Sequence, residues 1–378
     1  MDLLRVVACF FVIHQHCAEI FYGATGHVEV GDDTYFVGLN TSLGRICVPL
    51  FAMISGYFML PMKDDVTTFF KKRVSRIVWP FIAWNFVYAV FFVFYGGDTP
   101  LDAVKNFFGI FLQFLDAVKN FFGIFLQFGA KWSHMWYIYM ILGLYLLTPI
   151  ISPWLERASK KQLQVYGIIW LLTTLLPYLH RYVAPELWGE CFWNVSPTFY
   201  YFTGFVGYFV LGYYIRRFGC VSGWMAASCV LVGWIASVYF FTTDMNLYTE
   251  YDGLELGWNF CTINVVLMTY GAFSLFTKIK WQGGGWLGRL LSDVAAKSYG
   301  MYLSHMVVLL LTQVLLAQWW ADIFDPVFGD GYTMHRIWGN VPAVLVAVPA
   351  HAIVTIVLVY ILVKLMSYLP TAKKWLGI

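Results

Sequence analysis

The sequence predicts an all-α, polytopic integral membrane bundle of about ten transmembrane helices. Three observations carry that expectation. Of 378 residues, 60% are hydrophobic and only 12% are charged, about half the charged share of a soluble globular domain. Apolar runs of about 18 residues or more recur along the chain, each long enough to cover the roughly 30 Å hydrocarbon core at 1.5 Å rise per residue. Basic residues fall unevenly between the loops that alternate along such a path. The net charge of +3 implies no nucleic-acid partner, because the basic residues have a topological explanation. Seven cysteines lie scattered without a C-x-x-C pair, which argues against a disulfide framework or a zinc site. Cys191 and Cys261 could face one compartment, and they are expected to stay unbonded.

The ten apolar segments run approximately 3–22, 43–60, 76–95, 134–151, 164–181, 197–215, 224–242, 258–277, 298–316 and 338–363. With the N-terminus inside, 18 of the 24 Lys and Arg residues fall in inner loops and ends. Arg45, Lys105, Lys119, Lys131, Arg181 and Arg336 remain outside. That asymmetry is the positive-inside signature and gives an N-in, C-in topology. The first segment lacks a small-residue cleavage site and carries His and Glu, so it is expected to be a retained helix rather than a signal peptide. LDAVKNFFGIFLQF at 101–114 is repeated without change at 115–128. Each copy is too short to span, and a crossing there would invert the charge asymmetry downstream. Residues 101–130 are therefore expected at the outer interface as one or two amphipathic helices, with a re-entrant segment as the alternative. The whole chain reads as a single transmembrane domain.

The first segment, MDLLRVVACFFVIHQHCAEIFY, carries Arg5, His14, His16 and Glu19. Ionisable groups within a span are costly unless they face a bundle interior or a wet cavity, so they are functional candidates by default. Eleven residues separate Arg5 from His16, which is about three turns. Both therefore project from one face, roughly 16 Å apart. His14 points elsewhere and is expected to be structural. Glu19, three residues beyond His16, is close enough to hold the imidazole in one tautomer.

Arg5, ten residues, then His16 resembles the first transmembrane helix of the acyltransferase-3 family of inner-membrane O-acyltransferases. Further stretches match in family order: RICVPLFAMISGYFML (Arg45 to Leu60), KKRVSRIVWP (Lys71 to Pro80), HMWYIYMILGLYLLTPI (His134 to Ile150), GYFVLGYYI (Gly207 to Ile215) and SYGMYLSH (Ser298 to His305). The resemblance covers essentially the whole chain, and within the family it is similar to the enterobacterial common antigen O-acetyltransferase group. It implies a multi-pass protein of the bacterial inner membrane. The donor would be cytosolic acetyl-CoA or another acyl-CoA, and the acceptor a hydroxyl of a cell-envelope polysaccharide or lipid-linked glycan. No metal is implied.

The residues allow those roles and blander ones. Acyl transfer to a hydroxyl needs a base or an acyl carrier, and the His16 imidazole can be either; a helix-packing histidine is the alternative. Arg73 and Arg76 share one helix face and could grip the phosphates of coenzyme A, or simply anchor topology. Arg5, below His16, could line the donor's path. Arg45 stands against the positive-inside trend, as a partner of Glu19 or of an outer carboxylate, as a contact to an anionic glycan, or as a snorkelling arginine. His134 and Trp136 suit the outer interface, either as anchors or as sugar contacts. His305 is a cavity candidate and His351 is treated similarly. Ser304 beside His305 makes no triad, since adjacent helical residues diverge by about 100°.

A transporter or sensor for a small solute is the competing reading, because intramembrane His and Glu could form a proton relay. No two-fold repeat of the spans supports it. Acyl-CoA binding with thiol release discriminates the two. A longer acyl donor, such as succinyl-CoA, would need no change of fold.

Overall fold

The computed structural model describes residues 1–22, 32–95, 133–183, 204–247, 256–279, 284–324, 336–337, 341–342, 344–370 and 372–377. These form helices α1 (Asp2–Tyr22), α2 (Asp32–Ser42), α3 (Cys47–Met59), α4 (Val66–Tyr95), α5 (Trp136–Arg157), α6 (Lys160–Thr173), α7 (Leu176–Tyr182), α8 (Phe205–Phe218), α9 (Gly223–Leu247), α10 (Ile263–Lys278), α11 (Gly285–Phe324), α12 (Val344–Met366) and α13 (Ala372–Trp375). Three 3-10 turns interrupt them at Leu43–Ile46, Ser133–Met135 and Leu256–Trp258. Two two-residue strands pair antiparallel, Arg336 with Pro342 and Ile337 with Val341. The duplicated segment, Cys191 and the side chain of Glu19 lie outside the described residues.

Among the described residues, seven helices are long and apolar enough to cross a membrane. Three expected segments stand apart from these seven. The first and third are helical, as α1 and the second half of α4, and the latter helix carries Lys71, Lys72, Arg73 and Arg76. The sixth is described only from Gly204 onward.

Four elements differ in extent from the sequence expectation. The second span begins at Phe36 rather than 43. Its polar start reads as a loop, yet Thr41 and Ser42 are buried, with the Thr41 carbonyl accepting from Gln15 Nε2 at 2.7 Å and Ser42 Oγ accepting from Trp258 Nε1 at 2.7 Å. Helix α4 starts ten residues early, at Val66, because Asp65 caps it: the Thr68 amide donates to Asp65 Oδ1 at 3.0 Å. The run 164–181 breaks after Thr173, where Pro177 limits the next helix. Helix α11 is 40 residues long, more than a bilayer needs. Its basic end is pinned to α12 where Asp293 accepts from Lys297, from Lys364 at 2.8 Å and from Tyr360 at 2.7 Å.

Helix α1 is the centre of the bundle. It packs against α2, α3, α11 and α12, and none of its described side chains is exposed. A helix apolar on nearly every face is stable only inside a protein or a membrane. On the outside, apolar side chains recur at helical spacing, as Val165, Ile168 and Leu172 on α6, Leu231 and Ile235 on α9, and Val357, Ile361 and Leu365 on α12. Those stripes suit lipid contact. Helices α3 and α8 cross at glycine, where a Cβ at Gly56 would lie 1.8 Å from the Phe209 carbonyl oxygen and one at Gly212 would lie 2.0 Å from that of Met53. Backbone touches backbone there, so neither neighbour can give way.

Gly56→Ala and Gly212→Ala should each lower stability by about 1–3 kcal/mol through overpacking, read as a lower midpoint of thermal unfolding in detergent; an unchanged midpoint would mean that the helices do not cross there. At the start of α4, hydrogen bonds from Thr68 hold the Asp65 carboxyl below the usual carboxylate range. A depressed folded pKa makes the cap's contribution present above the unfolded pKa and lost as pH falls through the folded one. Amide exchange of Val66 to Thr68 should accelerate at acid pH, and in Asp65→Ala at neutral pH as well.

Candidate functional site

Three histidines from distant parts of the chain meet inside the bundle. His16 on α1 and His305 on α11 have ring centroids 5.0 Å apart. His134, from the 3-10 turn before α5, lies 5.3 Å from His305 and 6.2 Å from His16. His305 and His134 are buried, while His16 keeps accessible surface. His14 faces the other side of α1, its Nε2 at 3.1 Å from Asn40 Oδ1, as the spacing predicts.

Helix α11 organises the cluster. The Tyr302 hydroxyl donates to the His134 carbonyl, fixing the turn against α11. The Tyr302 carbonyl accepts from His305 Nδ1 at 2.5 Å. Tyr88 on α4 donates to the Leu303 carbonyl at 2.8 Å, and its ring lies 5.3 Å from that of His134. Since a carbonyl only accepts, Nδ1 of His305 carries the proton, and Nε2 of the neutral ring presents a lone pair. That Nε2 and the Nε2 of His134 are buried without a hydrogen-bond partner among the described residues. Buried polar atoms are nearly always satisfied, so these two nitrogens are unused hydrogen-bonding capacity beside an accessible imidazole. Among the described residues, no group of three or more His, Cys, Asp or Glu side chains is arranged to hold a metal ion.

The expected donor residues lie apart from the histidines. Arg5 is about 16 Å along α1 from His16 by helical rise; its guanidinium sits 3.4 Å from Asp2 Oδ1 and over the Phe58 ring at 5.1 Å. Arg73 is half-buried and Arg76 exposed on α4, and both act electrostatically on Tyr145 of α5. Arg73 Nε has no hydrogen-bond partner among the described residues. Tyr145, Tyr137 and Tyr299 each keep part of their surface accessible. Tyr299 stacks on Tyr302 with centroids 6.4 Å apart, and Tyr137 lies 5.3 Å from Tyr302. A string of phenol rings thus runs from the arginine pair to the histidines.

Arg45 and Trp136 share one aromatic neighbour. The Arg45 guanidinium lies 4.5 Å over Trp258 and 6.0 Å from Phe260, and Trp136 stacks on Phe260 at 5.6 Å. Arg45 is buried in the 3-10 turn within the second span, deeper than the outer edge expected for it. His351 meets the Thr312 hydroxyl at 2.9 Å between α11 and α12 and serves helix packing, and Ser304 donates to its own helix at the Gly300 carbonyl, 2.9 Å. Sequence reasoning missed Tyr302, Tyr88 and Phe260. Only for Tyr302 was there a signal, three residues before His305 in SYGMYLSH and so one turn away.

Spanning helices around a histidine cluster, with cations at one end, define a polytopic membrane protein with a polar interior. A family model described as an acyltransferase domain matches residues 1–363, and the chain belongs to the acyltransferase-3 family. It is a multi-pass membrane acyltransferase. Comparison with curated proteins and with solved structures gave no match.

Tyr302→Phe removes the hydrogen bond that ties the His134 turn to α11. It should cost about 1 kcal/mol of stability and increase amide exchange at Ser133 to Met135, with the remainder of α5 unaffected. Unchanged exchange at the turn would show that other contacts hold His134.

Proposed function

We propose that the protein is an O-acyltransferase of the bacterial inner membrane. It moves an acetyl group from cytosolic acetyl-CoA to a hydroxyl of a cell-envelope polysaccharide or lipid-linked glycan. The observation that carries this reading is the accessible His16 imidazole beside two buried, unsatisfied ring nitrogens. Acyl transfer to an alcohol needs such groups at one point, a nitrogen to carry the acyl group or accept the proton, and further polar atoms to orient the reacting hydroxyl and carbonyl.

The remaining roles follow from charge and reach. Arg73 and Arg76 grip the phosphates of the donor, with Arg5 on the same path. Bidentate guanidinium contacts suit a diphosphate, and a half-buried Arg73 without an acceptor for Nε is ready for one. The extended thiol arm of the donor follows the row of Tyr145, Tyr137, Tyr299 and Tyr302 rings toward His16. Glu19, three residues after His16 in the sequence, is assigned to orient its ring. His134 and His305 contact the acceptor hydroxyl or the thioester carbonyl. Arg45 and Trp136, joined through Phe260, bind the glycan: stacking on aromatic faces suits a sugar, and the guanidinium suits an acidic one. Coenzyme A stays on the cytosolic side throughout.

The test is thiol release by purified protein in nanodiscs supplied with acetyl-CoA, with and without a bacterial glycolipid extract. His16→Ala should abolish acceptor-dependent release while the protein stays folded, and the Arg73→Ala/Arg76→Ala variant should raise the donor KM on the order of tenfold or more. Full turnover in His16→Ala would sink the assignment, and absence of binding or release with any acyl-CoA would remove the donor class.

A further inference from the structure

His305 has a feature that contact with substrate alone does not use, since its proton position is set by the backbone. Nδ1 donates to the Tyr302 carbonyl at 2.5 Å within one turn of α11, so the lone pair belongs to Nε2. That nitrogen is buried and unpartnered among the described residues, and its ring stands 5.0 Å from that of His16, tilted by 37°. His16 differs from it in one decisive respect: it keeps accessible surface whereas His305 has none. A thioester carbon can be attacked only by a ring it can reach. A hydroxyl proton needs only its oxygen within hydrogen-bond reach of one ring nitrogen, a far smaller opening than attack on a thioester carbon requires.

We infer from this asymmetry a division of labour, in which His16 carries the acyl group and His305 is the base that takes the acceptor's proton. The inference rests on the acyltransferase reading above and assigns two roles within that site. In the first step the His16 lone pair attacks the thioester carbon, the C–S bond breaks and the coenzyme departs as a thiolate, leaving acylated His16. In the second, the O–H bond of the acceptor breaks and its proton passes to His305 Nε2. The oxygen's electron pair forms the ester bond, the bond from carbon to the His16 nitrogen breaks, and His16 recovers its lone pair. His305 then releases the proton, which balances the departed thiolate as free thiol. The Tyr302 carbonyl supports this cycle because the charged ring, with protons on both nitrogens, still donates through Nδ1. His134 Nε2, the second orphan, is left to orient the hydroxyl.

The experiment separates the two steps. Wild type, His305→Gln and His305→Ala are purified in nanodiscs, checked for monodispersity by gel filtration, and mixed with acetyl-CoA alone or with the glycolipid extract. Without acceptor, all three should release a burst of about one thiol per protein, the mark of an acyl-enzyme. With acceptor, steady turnover of both variants should fall on the order of a hundredfold, the usual worth of a general base. Monodisperse variants that lose the burst together with turnover would overturn the division, because His305 would then be needed for loading. Variants that retain full turnover would overturn it too, as would a wild type that turns over without acyl ever appearing on His16 in a quenched digest. A wild type that releases no thiol under any condition would instead remove the acyltransferase reading itself.

Discussion

The protein is organised by the cost of keeping imidazole, guanidinium and amide groups out of hydrocarbon. Helix α1 carries Arg5, His14, Gln15 and His16 among apolar residues, and lipid offers none of them a hydrogen bond. The bundle meets this cost by surrounding α1 with α2, α3, α11 and α12. His14 is satisfied at Asn40, and Gln15 at the Thr41 carbonyl. His16 faces the opposite way, toward His134 and His305. Placing α1 in the middle lets other helices answer its polar groups.

Stability and chemistry use different parts of the same helices. Backbone contact at Gly56 and Gly212 brings α3 and α8 together, and the Asp293 cluster clamps α11 to α12 at the basic end. On α11, the Tyr302 hydroxyl and carbonyl hold two histidines at once. The cations Arg73 and Arg76 sit where α4 has only begun, ahead of its apolar half.

Much of the site was legible one helix at a time. Helical period alone placed Arg5 and His16 on one face and His14 on another, and put Arg73 and Arg76 side by side. The family order of the motifs then pointed to acyl transfer. The convergence of His134 and His305 on His16 was not legible, because 118 and 289 residues separate them from it along the chain and no periodicity spans such gaps. His134 read as an interfacial residue since it precedes an apolar run; the tie from Tyr302 draws it inward. Arg45 read as an edge residue because the second apolar run begins only at 43, whereas the span extends back to Phe36, with Thr41 and Ser42 buried against Gln15 and Trp258.

By itself, the sequence determined that this chain is a multi-pass helical membrane protein of the acyltransferase-3 family, and which residues could do chemistry on each helix. Apolar length, basic asymmetry and motif order are local properties of a chain facing lipid, so they survive without knowledge of packing. The tertiary structure decided which of those residues meet, which ring nitrogens are left without partners among the described residues, and which imidazole keeps accessible surface. Those properties depend on burial and on atoms contributed by distant helices, and packing alone assigns them.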